Sequence, residues 1–466
     1  MAAIELPAPG RVLGTQVHRC AIAYRFELAN ERLHRWIRDR RVDASPHGVR
    51  DFANHCNPAL RFGTDLARGR DVRDRRRDVS IPLRHRAYCG RRSTHQTRLS
   101  EICTIRKKEA ALAAYRILIA GGAGFIGSAL AREMILNSTA EVLVFDALTY
   151  ATTSAALDPV RGSSRFRFIH GDIADPIAVR AAIGMFNPDV VVNLAAETHV
   201  DRSIDGPAPF LQSNVVGVFV LLEEVLAHWR TLSGPDQAAF RYHQVSTDEV
   251  FGSLGPTGAF SETTCYAPRS PYSATKAAAD HFVRAWGHTY GLPVVVTNCS
   301  NNYGPFQFPE KLIPLTIVRA LAGDHLPVYG DGLHVRDWLH VDDHVRGLRA
   351  AFERGRGGQT YVFGGETEKT NIALVNAICS ALDTLMPRPD ARSYAELIRL
   401  VDDRPGHDRR YAVDTAHTRQ ALGWSPRVDI EHGLLDTVDW YLRHREWWTP
   451  LLSSRDAVAR RGLAGG

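Results

Sequence analysis

The 466-residue sequence lacks the features of membrane-inserted, secreted and disulfide-rich proteins. It shows no apolar run near the roughly 20 residues that cross a bilayer, and its N-terminus has no charged segment followed by an apolar one, as a secretory signal requires. The seven cysteines form no paired framework, which is typical of a reducing compartment. Histidines, cysteines and acidic residues also lack metal-ligand spacing. We therefore expect a cytoplasmic location, no membrane association and no catalytic metal.

Positive charge is concentrated at one end of the chain. Residues 1–110 hold 24 Lys+Arg against 12 Asp+Glu, whereas the remainder holds 33 against 39. Stretches such as Arg73–Asp78 follow no apolar period of a helix or strand. Three interpretations of the extension 1–112 are open: a disordered basic tail, a nucleic-acid-binding arm, or a start assigned too early. We expect a disordered or mis-assigned segment that is dispensable for activity, and a flexible tail at 451–466.

A glycine-rich turn lies between a predicted strand, Arg116–Ala120, and a predicted helix, Ser128–Leu136. Its glycines have three-residue spacing: Gly121, Gly124 and Gly127. Such glycines permit a tight turn, close approach to a pyrophosphate and helix packing, while the helix N-terminus faces the phosphates. Asp146 ends the next strand, 19 residues after Gly127, at the distance where an acid binds the adenosine ribose. Because Ala147 follows rather than arginine, the sequence predicts NAD rather than NADP.

Three further apolar strands are followed by polar segments. These are Val190–Leu194 before Ala195–Glu197, His243–Ser246 before Thr247–Glu249, and Val294–Asn298 before Cys299–Pro305. Ligands of doubly wound sheets bind outside the carboxyl ends of the strands, so these segments should meet in one cleft. Successive strand residues point to opposite faces, so Asp248 and Glu249 can share that cleft only if the strand ends or twists here, and Val250–Gly252 is consistent with such a break.

Tyr272 and Lys276 lie four residues apart at the start of a predicted helix and so share one face. A phenol with an ordinary pKa of about 10 is a poor base, but a nearby ammonium and a positive nicotinamide ring lower that pKa. Alone, the pair is equally explained as solvent-exposed side chains. Downstream of the glycine-rich turn, it predicts a catalytic tyrosine and a lysine that also holds the nicotinamide ribose. The predicted cofactor-binding residues are Gly121, Gly124, Phe125, Ile126, Gly127, Asp146, Asp172, Ile173, Ala195, Ala196, Tyr272, Lys276 and Asn298.

Gly121–Gly127 together with Tyr272–Lys276 resembles the extended short-chain dehydrogenase/reductase family, and Thr247–Glu249 resembles its nucleotide-sugar 4,6-dehydratases. The similarity runs from about residue 115 to about residue 448. Further matching segments are Leu148–Ala151, Ala196–Ser203, Ser300–Pro305, Phe308–Pro314, Arg336–Val341 and Asp403–Tyr411. The chain departs from the family at Ala147, where many relatives carry lysine, and in the short loop Gly252–Phe260. Neither departure touches the chemistry.

The resemblance implies an α/β fold, a doubly wound parallel sheet (Rossmann fold) with a smaller α/β substrate-binding domain. The strand–helix alternation of residues 115–297 indicates the same sheet. The expected domains are an NAD-binding domain at 113–299 plus about 333–365, and a nucleotide-sugar-binding domain at 300–332 and 366–450.

The resemblance also implies partners. Helices around Phe210–Arg230 and Tyr272–Tyr290 are implied to pair in a homodimer. Phe219, Leu222 and Val225 on the first helix are equally explained as core. Nucleic acid is not expected as a partner.

The implied reaction removes water from a nucleotide hexose, dTDP-glucose in the first instance, to give a 4-keto-6-deoxy sugar. The C5 proton is not acidic until C4 is a ketone, so the chemistry requires a transient oxidation by NAD that is reversed at C6. Tyr272 is expected to take the C4 hydroxyl proton while Thr247 hydrogen-bonds the C4 oxygen. Glu249 then removes the C5 proton and Asp248 protonates the leaving C6 hydroxyl. Lys276 completes the predicted catalytic set.

Substrate-binding residues are predicted mainly from the later half of the chain. Arg336, Arg404 and His407 suit a pyrophosphate, since the planar guanidinium fits phosphate oxygens. Asn302 could donate to the same group or to the sugar. The full predicted set is His199, Thr247, Asn302, Glu310, Lys311, Leu312, Arg336, Arg404 and His407.

The roles of some of these residues are implied only by the resemblance, and others have two possible interpretations. By resemblance, Phe308–Leu312 contacts the base, with Glu310 and Lys311 reading thymine. His199 is equally explained as a structural histidine. Arg409, next to this set, is equally explained as a surface ion-pair partner.

Alternatives from other classes remain. A 4-epimerase or a dehydratase for another nucleotide sugar shares the fold, although the Asp248–Glu249 pair disfavours an epimerase. A non-catalytic NAD-binding or nucleic-acid-binding regulator would use the basic extension, and the intact Tyr272 and Lys276 disfavour it. The extension could also disable a gene that is no longer used. The sequence does not indicate whether the product serves a cell-wall deoxysugar or a secondary metabolite.

Overall fold

Twelve strands lie within residues 115–452, the part of the chain that the computed structural model describes. The extension 1–112 and residues 453–466 of the tail, with the predictions made for them, lie outside the described residues. The strands are β1 Arg116–Ala120, β2 Glu141–Asp146, β3 Phe166–His170, β4 Val190–Asn193, β5 Arg241–Thr247, β6 Val294–Cys299, β7 Asn301–Tyr303, β8 Leu326–Tyr329, β9 Val335–His340, β10 Thr360–Phe363, β11 Glu368–Thr370 and β12 Ile398–Val401.

The α-helices of the described part alternate with these strands. They are α1 Phe125–Asn137, α2 Asp158–Arg161, α3 Pro176–Phe186, α4 Val200–Asp205, α5 Ala208–Leu211, α6 Val218–Trp229, α7 Gly234–Ala239, α8 Pro271–Tyr290, α9 Leu312–Ala322, α10 Val341–Arg354, α11 Asn371–Leu385, α12 Ala416–Leu422, α13 Ile430–Arg443 and α14 Arg445–Trp448. A π-helical turn, Gln212–Gly217, joins α5 to α6.

Seven strands form one sheet in the order β10-β6-β5-β4-β1-β2-β3, and all of its pairings are parallel. Along β1, Ile117 and Ile119 enter the core beneath α1 and α10, while Leu118 and Ala120 enter the core on the opposite face beneath α3 and α6. Strands buried on both faces read as continuous apolar runs, as β1 does. The predicted doubly wound parallel sheet is confirmed.

β1 lies between β2 and β4 in the sheet. From β1 the chain first builds the sheet outward through β2 and β3, and then builds it in the opposite direction from β4. A reversal of this kind leaves a crevice at the carboxyl ends of the strands, and ligands of doubly wound folds bind there. The strand end that matters most is that of β5, which stops at Thr247. Asp248–Phe251 then forms a 3-10 helix, so the condition for Asp248 and Glu249 to share the cleft is met.

The rest of the described chain forms a smaller part with its own core, in which α9, α11 and α13 pack around Ile317, Ile378 and Val438. Two small sheets accompany it, one of β11-β9-β7 and one of β12-β8. β9 was expected within the NAD-binding domain but pairs with β7 and β11, whereas α10 and β10 pack on the large sheet. The domain boundaries themselves stay a prediction.

One helical run, Ala208–Trp229, is long and apolar enough to cross a membrane by length and composition, and half of it is buried inside the structure. The expectation that no run reaches this length is therefore wrong. Leu222 and Val225 are fully buried, as the core interpretation predicts, but Phe219 is 43% exposed. The same helix thus packs on the sheet with one face and presents aromatic surface on the other.

Candidate active site

The turn after β1 is a bare backbone surface at the edge of the cleft. Gly121 has φ +75°, and a Cβ there would lie 2.4 Å from the Ala195 nitrogen. A Cβ on Gly127 would lie 2.2 Å from the Gly121 oxygen, so only glycine lets the turn pack so tightly. Gly124 precedes α1 and supplies no side-chain cap, and the first turn contains no acid. The uncapped N–H groups and the positive end of the helix dipole fit a phosphate, so this turn suits a dinucleotide.

Asp146 stands beside this turn at the end of β2. Its Oδ2 accepts a hydrogen bond from the Ala123 nitrogen and its Oδ1 from the Leu148 nitrogen, both at 2.8 Å. Burial raises the pKa of Asp146, and the two backbone donors oppose that rise. The carboxylate therefore ties the glycine turn to the following loop and also lines the cleft.

Twelve of the thirteen predicted cofactor-binding residues line this first cavity. Asn298 does not, because it points away from the cleft: its Nδ2 donates to the Thr247 oxygen at 3.0 Å and to the Tyr266 hydroxyl at 3.4 Å. The Asn298 side chain thus supports the end of β5, and its role as a cofactor ligand stays a prediction. The carboxyl end of a strand is easily recognised in a sequence, but the sequence does not show on which face of the sheet a side chain near that end lies.

Thr247, Asp248 and Glu249 meet Tyr272 and Lys276 in the cavity. The Thr247 hydroxyl accepts a hydrogen bond from the Glu249 nitrogen at 3.2 Å and donates to Asp248 Oδ1 at 3.3 Å. Thr247 therefore caps the short 3-10 helix and aims both acids into one space. The convergence of these five residues follows from the end of β5 facing the first turns of α8.

The two acids experience different surroundings. Asp248 is 2% exposed, and burial together with the charge of Glu249 raises its pKa well above the usual 3.8. Its Oδ2 has no hydrogen-bond partner within the described residues. Burial also raises the pKa of Glu249, but Arg404, Arg336 and Lys311 all oppose the rise. Environments that differ in this way assign acid and base roles to a carboxyl pair.

Tyr272 and Lys276 are both buried at the base of the cavity. Burial first, and then Glu249, raise the pKa of Tyr272 well above its usual 10. Lys276 donates from Nζ to the Val245 oxygen at 2.8 Å, and burial lowers its pKa. The protein alone therefore holds the phenol protonated, and the lower pKa expected for a catalytic tyrosine needs an added positive charge.

A second cavity opens beside the first and shares one wall with it. The shared wall consists of Thr198, Glu249, Asn301, Glu310 and Lys311. Seven predicted substrate-binding residues line this second cavity: His199, Glu310, Lys311, Leu312, Arg336, Arg404 and His407. Glu249 thus faces both spaces, so a base on this wall can reach a ligand held in the second cavity.

The polar side chains of the second cavity are held by partners both near and distant in the chain. Arg404 donates from Nη1 to Asp201 Oδ1 at 3.0 Å, and Arg336 donates to the Val335 and Asp408 oxygens at 2.7 and 2.9 Å. His407 lies 2.6 Å from Asp403 through Nδ1. The two arginines give this wall a positive charge that suits an anion such as a pyrophosphate.

Residues 118–437 match the model of the GDP-mannose 4,6-dehydratase family. The chain belongs to this family. The dTDP-glucose 4,6-dehydratase of Escherichia coli is 48% identical over 359 residues, covering 75% of this chain and 99% of that protein.

Solved structures agree with this membership. DesIV, a dTDP-glucose 4,6-dehydratase from Streptomyces venezuelae crystallised with NAD and dTDP, has a TM-score of 0.66 and 42% identity, covering 72% of this chain and 99% of its own. The UDP-glucose 4-epimerase of Thermus thermophilus in complex with NAD has a TM-score of 0.62 but only 27% identity, covering 71% and 99%. The chain therefore shares its fold with both enzymes and is more similar in sequence to the dehydratase.

The structure also shows the hydrogen bonds and ion pairs made by the remaining residues of the predicted substrate set and by their neighbours. His199 lines the second cavity, but its Nδ1 also accepts from the Arg202 nitrogen at 3.4 Å and so caps α4, as the structural interpretation allowed. Asn302 lines the first cavity, and its amide is engaged with the Ser300 oxygen and His344. The neighbouring Asn301 lies on the shared wall with its Oδ1 unpartnered within the described residues. Arg409 pairs with exposed Asp331, as the surface interpretation predicted.

Sequence reasoning missed residues that act through tertiary contacts. Asp201 is 4% exposed and binds both Arg404 and the Tyr329 hydroxyl. Tyr150 lies beneath the guanidinium of Arg202, 3.5 Å from its ring centre, with its hydroxyl 3.4 Å from Glu310. Both residues lie inside segments that matched the family, and that match was the only signal available for them.

His334, Asp403 and His407 form one group of possible metal ligands in the described part of the chain. The two imidazole rings stack at 3.6 Å, and each contacts a different oxygen of Asp403. Burial and then the charge of Arg404 lower the pKa of His407 to about 3. Nearby arginines oppose a divalent cation, so the group is better suited to holding His407 in place than to binding a metal.

Proposed function

We propose that this protein is a dTDP-glucose 4,6-dehydratase that uses NAD and forms dTDP-4-keto-6-deoxy-glucose and water. The observation that carries the proposal is the shared wall of the two cavities. Glu249 lies on that wall, and Asp248 and Tyr272 line the first cavity beside it, between a backbone turn suited to a dinucleotide and an arginine wall suited to a nucleoside diphosphate. Relatives of about 50% identity that carry this activity support the assignment.

The side chains divide the reaction among them. The glycine turn from Gly121 to Gly127 and Asp146 would hold NAD, which would supply a transient oxidation at C4 of the hexose that is reversed by reduction at C6. Tyr272 accepts the proton of the C4 hydroxyl while Thr247 hydrogen-bonds the C4 oxygen. Glu249, where three cations oppose the rise in pKa that burial causes, removes the C5 proton and returns it to C5 once C6 is reduced. Asp248, whose pKa is raised by burial and by the charge of Glu249, supplies its proton to the leaving C6 hydroxyl. Acids and bases of this kind typically contribute about 10²–10⁴-fold each.

Tyr272 needs help to act as a base. Burial and Glu249 raise its pKa in the protein alone. The positive charge of an oxidised nicotinamide and the ammonium of Lys276 act in the opposite direction. The proposal therefore couples proton removal at Tyr272 to occupancy of the cofactor turn.

The decisive experiment offers dTDP-glucose, UDP-glucose and GDP-mannose to the full chain and to a chain starting near Leu112, with the products followed by NMR. We expect a 4-keto-6-deoxy product from dTDP-glucose with both proteins. A C4-inverted hexose would show an epimerase instead, and another preferred substrate would replace dTDP-glucose in the proposal. An active full chain with an inactive shorter one would contradict the expectation that residues 1–112 are dispensable.

A double variant tests the roles of the two acids. Asp248→Asn with Glu249→Gln should retain bound NAD and lose water elimination. Asp331→Asn with Glu368→Gln is the matched control, because both of these acids pair with arginines at the surface. An unchanged rate of product formation by the first double variant would exclude the assignment.

We also propose a homodimer formed through α6 and α8. Four residues form an aromatic surface on these two helices: Phe219, Phe282, Trp286 and Tyr290. Phe219, Phe282 and Tyr290 are 43%, 37% and 41% exposed, and contiguous apolar surface of this kind marks interaction sites. In light scattering, Phe219→Glu with Phe282→Glu should convert a dimer into a monomer. A monomeric parent protein would contradict the proposal.

We place the reaction in the cytoplasm. Cys265, Cys299 and Cys379 are unpaired thiols within the described residues. Free thiols persist in reducing compartments. Cell fractionation with detection of the protein by antibody would test the placement.

A further inference from the structure

The helix that carries Tyr272 and Lys276 places a third ionisable residue, Asp280, on the same face. Positions 272, 276 and 280 are successive i,i+4 neighbours on α8. Asp280 is fully buried. Its Oδ2 accepts hydrogen bonds from the Ser246 hydroxyl at 2.6 Å and the Tyr266 hydroxyl at 2.9 Å. Its Oδ1 has no hydrogen-bond partner among the residues described.

This face of α8 is bound to each of the last three residues of β5. The Lys276 Nζ donates to the Val245 oxygen at 2.8 Å, and Ser246 donates to Asp280. Thr247 hydrogen-bonds Tyr272, which opposes the rise that burial and Glu249 cause in the pKa of that phenol. The end of the strand that presents the catalytic acids is therefore held on the helix that presents the catalytic base.

A buried carboxylate is costly unless a charge compensates it. Burial raises the pKa of Asp280. The charged groups facing it, Lys276 and Arg284 on its own helix, oppose that rise, as do its hydrogen bonds with the Ser246 and Tyr266 hydroxyls. Lys276 in turn faces Asp280 and, from β6, the Cys299 thiol. Burial lowers the pKa of Lys276, and Asp280 opposes that fall. Lys276 is 4% exposed, so the carboxylate stands where water would otherwise stabilise the ammonium.

We propose that Asp280 is a positioning residue that holds Lys276 in its charged form beside Tyr272 and the nicotinamide ribose. It contacts neither cavity and acts through Lys276. The inference deepens the proposed function and rests on it for the catalytic part, but the charge on Lys276 also bears on NAD binding, which can be measured without turnover.

The test compares Asp280→Asn with Tyr266→Phe. The first removes the charge and keeps a group of the same shape; the second removes one hydrogen bond to Asp280 and keeps the charge. For each protein, kcat/KM with dTDP-glucose and the NAD retained after dialysis are measured from pH 6 to 10. We expect Asp280→Asn to move the alkaline limb of both profiles to lower pH by about one unit or more, because Lys276 loses its proton sooner. Tyr266→Phe should leave both limbs in place.

Each outcome has a defined meaning. Alkaline limbs that coincide in Asp280→Asn and the parent would overturn the proposal and leave Asp280 a structural residue, as would equal shifts in both variants. If the parent protein is inactive on dTDP-glucose, the proposed function fails, whereas the NAD retention profile still decides the role of Asp280. If Asp280→Asn does not fold, Asp280→Ser removes the same charge from a less crowded site, and the same shift is expected.

Discussion

The two cavities on either side of the shared wall present different chemical groups to a ligand. The cofactor cavity rests on backbone: glycines that tolerate no side chain, and the uncapped start of α1. The substrate cavity rests on charged side chains, among which Arg404 and Asp201 are 203 residues apart in sequence. The backbone surface depends on the spacing of glycines that are close together in the chain, whereas each charge pair depends on the whole fold. Substitutions in the first cavity should therefore weaken NAD binding, and substitutions in the second should weaken binding of the nucleotide sugar.

The largest effect is expected at Tyr272, which lines the first cavity. Tyr272→Phe removes the only phenol among the five converging catalytic side chains and should lower kcat about 10³-fold while NAD stays bound. Tyr394→Phe is the control, since that hydroxyl donates to the Met386 oxygen within the smaller core. Turnover is followed by product formation and bound NAD by absorbance after denaturation. Loss of NAD in Tyr272→Phe would place the residue among the cofactor ligands alone.

On the cofactor side, Gly127→Ala should weaken NAD binding by about 100-fold or more, because the added methyl would meet the Gly121 oxygen and displace the turn from the phosphates. Gly184→Ala on α3 is the matched control, since its methyl would enter open space. That change should leave NAD binding intact and raise stability slightly. Calorimetric titration with NAD separates the two, and equal affinities would show that the turn does not bind the cofactor.

On the substrate side, Arg404→Ala should raise KM for the nucleotide sugar about 10–100-fold, since it removes a charge-assisted contact and leaves Asp201 buried without its cation. NAD affinity should remain near that of the parent. Arg409→Ala, which breaks an exposed pair with Asp331, should change KM less than about twofold. Steady-state kinetics and NAD titration on the same samples test the separation of the two sides. If Arg404→Ala also lost NAD affinity, the two cavities would not bind their ligands independently.

The smallest effect concerns the stability contributed by Asp248, which lines the first cavity. The pKa of Asp248 is raised in the fold by burial and Glu249, so folding is favoured below the ordinary carboxyl range and loses that contribution as pH rises. Asp248→Asn should therefore raise Tm at pH 7 by about 2–4 °C, and the gain should vanish near pH 4. Thermal unfolding at both pH values checks this. A lower Tm at pH 7 would show that the carboxylate stabilises the fold.

The Asp248–Glu249 pair shows how far sequence reasoning could reach. Alternation along a strand would separate the two acids, and only a strand that ends at Thr247 unites them. The sequence indicated such a break through Val250–Gly252, and the 3-10 helix confirms it. Asn298 shows the opposite case. Its place at a strand end suggested the cleft, but its amide turns toward Tyr266, a contact that depends on where the loop after β5 returns.

The sequence by itself determined the parallel sheet, the glycine turn and the helical pair Tyr272 and Lys276, because each depends on the spacing of residues close together in the chain. Only the tertiary structure decided which cation meets which carboxylate: Arg404 with Asp201, the three cations around Glu249, and Asp280 behind Lys276. The strength of a charge pair depends on the distance between its two groups and on how far both are buried. Neither the distance nor the burial is defined until segments hundreds of residues apart have packed together.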